Sequence, residues 1–206
     1  MQYVELKTQL KDFTVFSLSD IRSIDSEFHR RRLNEWQQKG YIKKLIKGWY
    51  FFSDLNINEN VLFEIANRIY GPSYVSLQTA LSYHGLIPES VYGITSVSSR
   101  RTYLFATEAA AFSYKTVKSQ LFFGYDIVEY APGKRFKIAS AEKAVLDYIY
   151  NNPQLKSEKD YAELRLNAEG FFRKVKKKIL YELLDRFHSR TLTKRVESLW
   201  RFMANA

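Results

Sequence analysis

The sequence predicts an α+β fold in three successive parts, on three patterns. Residues 1–55 read as three short helices followed by one hairpin, residues 91–138 break into short strand-like runs separated by turns, and residues from about Glu158 onward carry helical spacing. With 206 residues, 46% of them hydrophobic and 16% aromatic, the chain has enough apolar surface to bury a real core and is not disordered. That length suits one large domain, or a small one joined to a medium one.

Val4, Leu6 and Leu10 give the first segment a partly amphipathic helical pattern. Ser17 or Ser19 then caps a very short helix, Asp20–Ser23. Asp25 or Ser26 caps a third helix running to Lys39, where Gly40 supplies a left-handed stop. Next come Tyr41–Ile46, the pair Lys47-Gly48 and Trp49–Phe52, two apolar runs around a Gly-containing turn, which is a hairpin pattern. The polar stretch Asp54–Asn60 serves as a linker, giving a first domain over 1–55 and a second over 59–206.

In the second domain a helix from Glu59 to Tyr70 ends at Gly71-Pro72, and Tyr74–Ser76 forms a short strand whose Ser76 caps the next helix. There Leu77, Ala80, Leu81 and His84 share one face, and Gly85 ends it. Five strands, Val91–Ser98, Thr102–Ala106, Ser113–Val117, Leu121–Tyr130 and Phe136–Ala139, are read as a β-meander within a mixed α/β domain. Ser140 caps a helix to about Tyr150, closed by Asn151-Asn152-Pro153, with Glu142 in its first turn where the helix dipole favours an anion. A helical, basic tail over 158–206 completes the chain.

The net charge is +10, and its distribution says more than its size. Residues 1–60 carry 10 basic and 8 acidic side chains, residues 61–170 carry 12 and 11, and residues 171–206 carry 10 and 3. Within the first block, residues 26–50 hold 7 basic and 2 acidic groups. Two basic zones flanking a nearly neutral middle point to a polyanion partner; a solvated basic surface is the alternative. The absence of cysteine removes disulfides, thiolate zinc sites and a cysteine nucleophile, and suits a reducing cytoplasm. No signal peptide and no membrane-crossing run is read from the sequence, so a soluble cytoplasmic protein is expected.

The opening order of elements is that of a winged helix-turn-helix, in which a helix after a tight turn enters the major groove beside a basic hairpin. At about 100° per residue, Leu33, Trp36 and His29 fall on one side of the third helix, and Arg31, Asn34, Glu27 and Gln38 on the other, with Arg30 flanking. Arg pairs with guanine bidentately and Asn or Gln with adenine, so this outward face carries base-reading chemistry. Arg30, Arg31, Asn34 and Gln38 are therefore expected to read bases or position the helix, with Ser26, Lys43 and Lys47 on the backbone. Phe28 and Arg32 fall between the two faces, Phe28 toward the second helix and Arg32 toward a phosphate. In strict alternation Ile42, Lys44 and Ile46 share one side of the hairpin and Lys43, Leu45 and Lys47 the other, so it is not cleanly amphipathic.

Other chemistry finds little purchase. His29, His84 and His188 are far apart without metal spacing, His84 reads as a core or cap residue, and neither a Gly-x-Gly-x-x-Gly nor a P-loop is present, so no metal or cofactor is expected. Glu142, Lys143 and Asp147 resemble a nuclease cluster only superficially and are read as cap chemistry and surface charge. Arg173, Lys174, Lys176, Lys177 and Lys178, interleaved with Phe171, Phe172, Val175, Ile179 and Leu180, form an amphipathic helix and a second polyanion site; an acidic partner or a solvated helix are the alternatives.

Trp36, Gly40-Tyr41-Ile42, Leu45, Gly48 and Tyr50 together resemble the winged helix of the AbiEi-type antitoxins. The run Tyr74–Leu86 followed by Ile87-Pro88-Glu89-Ser90, the pair Arg100-Arg101, Phe122-Phe123-Gly124-Tyr125 and Ile138–Asp147 extend the resemblance over roughly residues 5–150, while the basic tail departs from it. The resemblance implies a non-enzymatic transcriptional regulator and antitoxin of an abortive-infection, phage-defence operon. Such a protein represses its own operon at inverted repeats and counteracts a nucleotidyltransferase-like toxin without a stable complex. A single winged helix spans few base pairs, so two copies are expected, as a dimer or as monomers cooperating on double-stranded DNA. The competing readings are a nuclease or nucleotidyltransferase directed to DNA, and a winged helix that docks a protein.

Overall fold

The computed structural model describes residues 1–88 and 93–205, an α+β arrangement with ten α-helices and two sheets among those residues. The first lobe contains α1 (Tyr3–Gln9), β1 (Phe16–Ser17), α2 (Leu18–Arg22), α3 (Arg31–Gln38), β2 (Ile42–Ile46) and β3 (Trp49–Phe52). Its antiparallel sheet has the order β1-β3-β2. Ser17 caps α2 through a reciprocal pair in which its hydroxyl accepts from the Asp20 N–H and the Asp20 carboxylate accepts from the Ser17 N–H.

The third helix is shorter than its sequence suggests. Asp25 and Ser26 do not cap it; it begins at Arg31, behind Arg30 and with no side-chain cap. The Asp25 carboxylate instead receives the N-terminal ammonium at 3.3 Å, and the Asp25 carbonyl accepts from the Phe28 N–H at 3.0 Å. That turn drops Phe28 into the lobe's core, 5.4 Å from the Trp36 ring, and leaves Ser26 and His29 exposed outside the helix. Burial of an aromatic ring outweighs a local capping signal worth about 1 kcal/mol. At the other end Gly40 does what its sequence predicts. It sits at φ +70°, and the Tyr41 and Gly40 N–H groups donate to the Trp36 and Gln37 carbonyls, closing the helix in a Schellman turn.

The second part comprises α4 (Glu59–Ile69), β4 (Ser73–Val75), α5 (Leu77–Tyr83), β5 (Ile94–Ser98), β6 (Tyr103–Ala106), β7 (Ala111–Thr116), β8 (Tyr125–Ala131), β9 (Lys134–Ala139) and α6 (Ala141–Asn151). Then follow α7 (Glu158–Glu163), α8 (Ala168–Lys174), α9 (Lys177–Asp185) and α10 (Arg190–Asn205). The expected meander is not what forms. The six strands run β6-β7-β5-β4-β9-β8, with β5 parallel to β7 and β4 parallel to β9. β4, whose three residues are all buried, takes an inner position, while β6, mostly exposed, and β8, which has no fully buried residue, take the edges. Residues 119–121 form a 3-10 turn, so the strand expected from Leu121 begins at Tyr125. The start of the strand expected at Val91, like Glu89 and Ser90, lies outside the described residues.

Ser76 precedes α5 as expected, yet its hydroxyl does not cap that helix. The Thr95 hydroxyl, from the neighbouring strand, accepts the Thr79 N–H at 3.0 Å and donates to the Ser76 carbonyl at 2.6 Å, filling that role. Ser140 does cap α6, accepting from the Lys143 N–H. The tail is four helices, and its basic run straddles a break at Val175 and Lys176, both extended.

The two parts share packing. Ile42, Tyr50 and Phe52 belong to the first lobe's core with Leu6, Leu33 and Trp36, whereas Leu45 and Phe51 join the core of the larger part. Alternation along the two strands turns Ile42, Tyr50 and Phe52 to one core and Leu45 and Phe51 to the other, and a bulge between Lys44 and Ile46 brings Ile46 against the larger core as well, so both faces of the hairpin are covered. Polar contacts tie the same junction: the Thr14 hydroxyl donates to the Glu64 carboxylate at 2.7 Å and Lys134 donates to the Asp12 carbonyl at 2.8 Å. Among the described residues no helix is long and apolar enough to cross a membrane.

Candidate nucleic-acid interface

On α3 the burial follows the helical angle. Leu33 and Trp36 are buried, and Arg31, Asn34, Glu35 and Gln38 are exposed together on the opposite side. Three of the residues expected to read bases, Arg31, Asn34 and Gln38, thus share one open face, and Arg30 stands exposed at its N-terminal edge. Glu35 belongs to the same face although the sequence reading passed over it. Its carboxylate lies 3.7 Å from Arg31 Nε, and the Arg–Glu spacing of four residues was the available signal. With both partners largely exposed, that contact holds Arg31 loosely.

The first turn of α3 has no acidic residue and no side-chain cap, so neither offsets the positive end of the helix dipole. Arg32 is occupied elsewhere. Its guanidinium donates to the Met1 carbonyl at 2.6 Å and lies 5.8 Å from the Trp36 ring, which makes it a tether for α1 and not a free phosphate ligand. Ser26 lies near Met1, Glu5 and Gln9 of the α1 side, off the α3 face. Lys43, Lys44 and Lys47 are all exposed on the hairpin, and Gly48 at φ +89° makes its turn. Lys44 keeps the side of the strand it shares with Ile42, since the bulge begins only beyond it, and is exposed there.

Glu142, Lys143 and Asp147 prove not to be surface charges. Lys143 and Asp147 are fully buried and Glu142 is 6% exposed. Lys143 Nζ pairs with Asp147 Oδ1, one helical turn away, and donates to the Tyr74 hydroxyl at 2.8 Å. Asp147 Oδ2 accepts from that hydroxyl at 2.9 Å and from Ser76 Oγ at 2.8 Å. The rings of Phe123, Phe187 and Tyr74 lie 5.0, 5.2 and 5.4 Å from the ammonium. Burial pushes the Lys143 ammonium below its ordinary range against the opposing pull of Asp147, and burial with the Asp147 charge holds the Tyr74 phenol well above its own. Glu142 accepts the Lys176 N–H at 2.9 Å and so satisfies the start of α9. These groups join β4, α5, α6 and α9 into one core; they have no face open to a substrate. His84 is likewise structural, its Nε2 lying 2.8 Å from the Ala139 carbonyl.

The basic run divides between two helices. Arg173 and Lys174 close α8, Lys176 precedes α9, and Lys177 and Lys178 open it, all five exposed. Neither a protein-family model nor a curated protein matches the chain.

Proposed function

We propose that the protein is a sequence-specific DNA-binding transcriptional regulator whose residues 1–55 act as a winged helix-turn-helix. The observation that carries this is the coincidence of Arg31, Asn34 and Gln38 on the open face of α3 with three exposed lysines on the adjoining hairpin. In this reading α3 lies in the major groove, where Arg31 takes guanine and Asn34 or Gln38 takes adenine. Arg30 and the uncapped start of α3 meet a phosphate, as do Lys43, Lys44 and Lys47 on the hairpin. Two copies on inverted repeats supply the length of site that one lobe lacks. The resemblance to AbiEi-type antitoxins extends the proposal to autorepression of a toxin–antitoxin operon in phage defence, with the larger part counteracting a nucleotidyltransferase-like toxin.

The test is binding to the DNA upstream of the protein's own gene against a scrambled duplex, across a salt series. Arg31→Ala is expected to cost about 1–3 kcal/mol on the specific duplex alone. Lys47→Ala is expected to weaken both duplexes equally and flatten the salt dependence by about one counterion. Equal affinity for both duplexes in the unmodified protein overturns the reading.

A further inference from the structure

We propose that the face built by α8, α9 and α10 is a second nucleic-acid site, one that takes unpaired strands by stacking as well as by charge. It is independent of the N-terminal lobe.

The charge is the first observation. Residues 171–206 carry 10 basic and 3 acidic side chains, and five of the cations sit within six residues at the α8–α9 break. The first turn of α9 holds lysines and no acid, the arrangement the helix dipole disfavours. The break itself is fixed, because Glu142 accepts the Lys176 N–H at 2.9 Å and Lys176 Nζ donates back to the Arg173 carbonyl at 3.2 Å. A polyanion laid across it relieves the repulsion among these cations.

The rings are the second. Phe172 is 41% exposed, whereas its neighbour Phe171 is fully buried. Phe172 stands edge-on to Trp200 at 5.3 Å, and the Lys177 ammonium lies 5.5 Å over the Trp200 ring and 6.0 Å from that of Tyr181. What sets Phe172 apart from the other exposed apolar side chains is its place beside Arg173 and Lys174 and against the Trp200 ring that Lys177 covers. An open ring flanked by lysines and arginine is the pairing that binds single strands, where a base stacks on the ring and adjacent phosphates meet the cations. A duplex keeps its base faces covered, so the ring adds nothing to duplex binding. Phe172 is therefore assigned to an unpaired base, and Arg173, Lys174, Lys177 and Lys178 to flanking phosphates.

The experiment is fluorescence anisotropy on the full chain with labelled oligothymidylate and oligouridylate of about twelve nucleotides, and a duplex of the same length and unrelated sequence. Both single strands are expected to bind more tightly than the duplex, since ring faces and phosphates are common to DNA and RNA. Phe172→Ala is expected to lower single-strand affinity about tenfold and leave duplex affinity unchanged. Phe172→Tyr retains the ring and should restore binding, which separates stacking from any loss of packing against Trp200. Lys174→Ala with Lys178→Ala should weaken all three ligands. Arg31→Ala and Lys47→Ala should leave oligothymidylate binding untouched, so failure here and failure of the N-terminal reading are distinguishable. Phe172→Ala without effect on the single strands, or with an equal effect on the duplex, overturns the proposal.

Discussion

Replacing Asp147 with alanine should be among the most damaging single changes in this protein, and the geometry sets the size. The substitution leaves Lys143, fully buried among Phe123, Phe187 and Tyr74, without its counter-charge. Breaking a buried ion pair from one side costs about 3–5 kcal/mol. Ser76 Oγ loses the acceptor it has at 2.8 Å, and an orphaned buried hydroxyl adds about 1–3 kcal/mol before relaxation. A loss of about 4 kcal/mol or more is expected, out of a total that is typically 5–15 kcal/mol. Urea denaturation followed by far-UV circular dichroism measures it. The double variant Lys143→Met, Asp147→Leu removes both charges together and should recover most of the loss, because an apolar pair of similar volume often replaces a buried ion pair at little cost. A single-variant loss below about 1 kcal/mol, or a double variant worse than Asp147→Ala, would refute the view that these residues are a mutually dependent core cluster.

Arg32→Ala should lower stability by about 1 kcal/mol through loss of its bond to the Met1 carbonyl, while operator affinity of the folded protein stays within about twofold in a titration, in contrast to Arg31→Ala. Thr95→Val removes the hydroxyl that takes over the cap of α5 and should cost about 1–2 kcal/mol by chemical denaturation. Stability should also fall at alkaline pH. Burial raises the phenols of Tyr74 and Tyr114 and pushes Tyr130 up to about 12, so the folded chain keeps protons that the unfolded chain releases above the ordinary value of 10.0. That contribution is complete below about pH 10 and is lost as pH rises through the folded values; the lowered Lys143 acts in the opposite sense, but only up to its ordinary 10.5. Phenolate absorbance should therefore rise together with the loss of circular dichroism signal, and early, independent titration of all the tyrosines would contradict it.

Much of the local structure was legible where one residue's own chemistry decides it. Gly40 and Gly85 end their helices, Lys47-Gly48 turns the hairpin and Ser140 caps α6, because backbone conformation and short-range hydrogen bonds settle such points. What misled was each place where a distant group outbids a local one. Asp25 is claimed by the chain's own N-terminus and Phe28 by the core, so α3 starts late and Ser26 falls off its face. Ser76 is claimed by Asp147, and its capping role passes to Thr95. The sheet order followed the full burial of β4, which three residues could not announce against longer neighbouring strands. Lys143 and Asp147 looked like surface charges since such groups seldom lie buried; their spacing of four residues was the clue that they could neutralise one another inside. Arg31, Asn34 and Gln38 share an exposed side because a late start does not change the angles within the part that remains helical, whereas Glu27 and His29, expected on the helix, precede it.

The central claim is that the face of α3 reads sequence. Its most direct measurement is the affinity ratio between the upstream DNA of the protein's own gene and a scrambled duplex, for the unmodified protein and for Arg31→Ala at the same salt concentration. The account predicts a ratio of at least about 10³ for the unmodified protein that falls by about 5- to 150-fold in the variant, with scrambled-duplex affinity nearly constant. A ratio that Arg31→Ala leaves unchanged would contradict it.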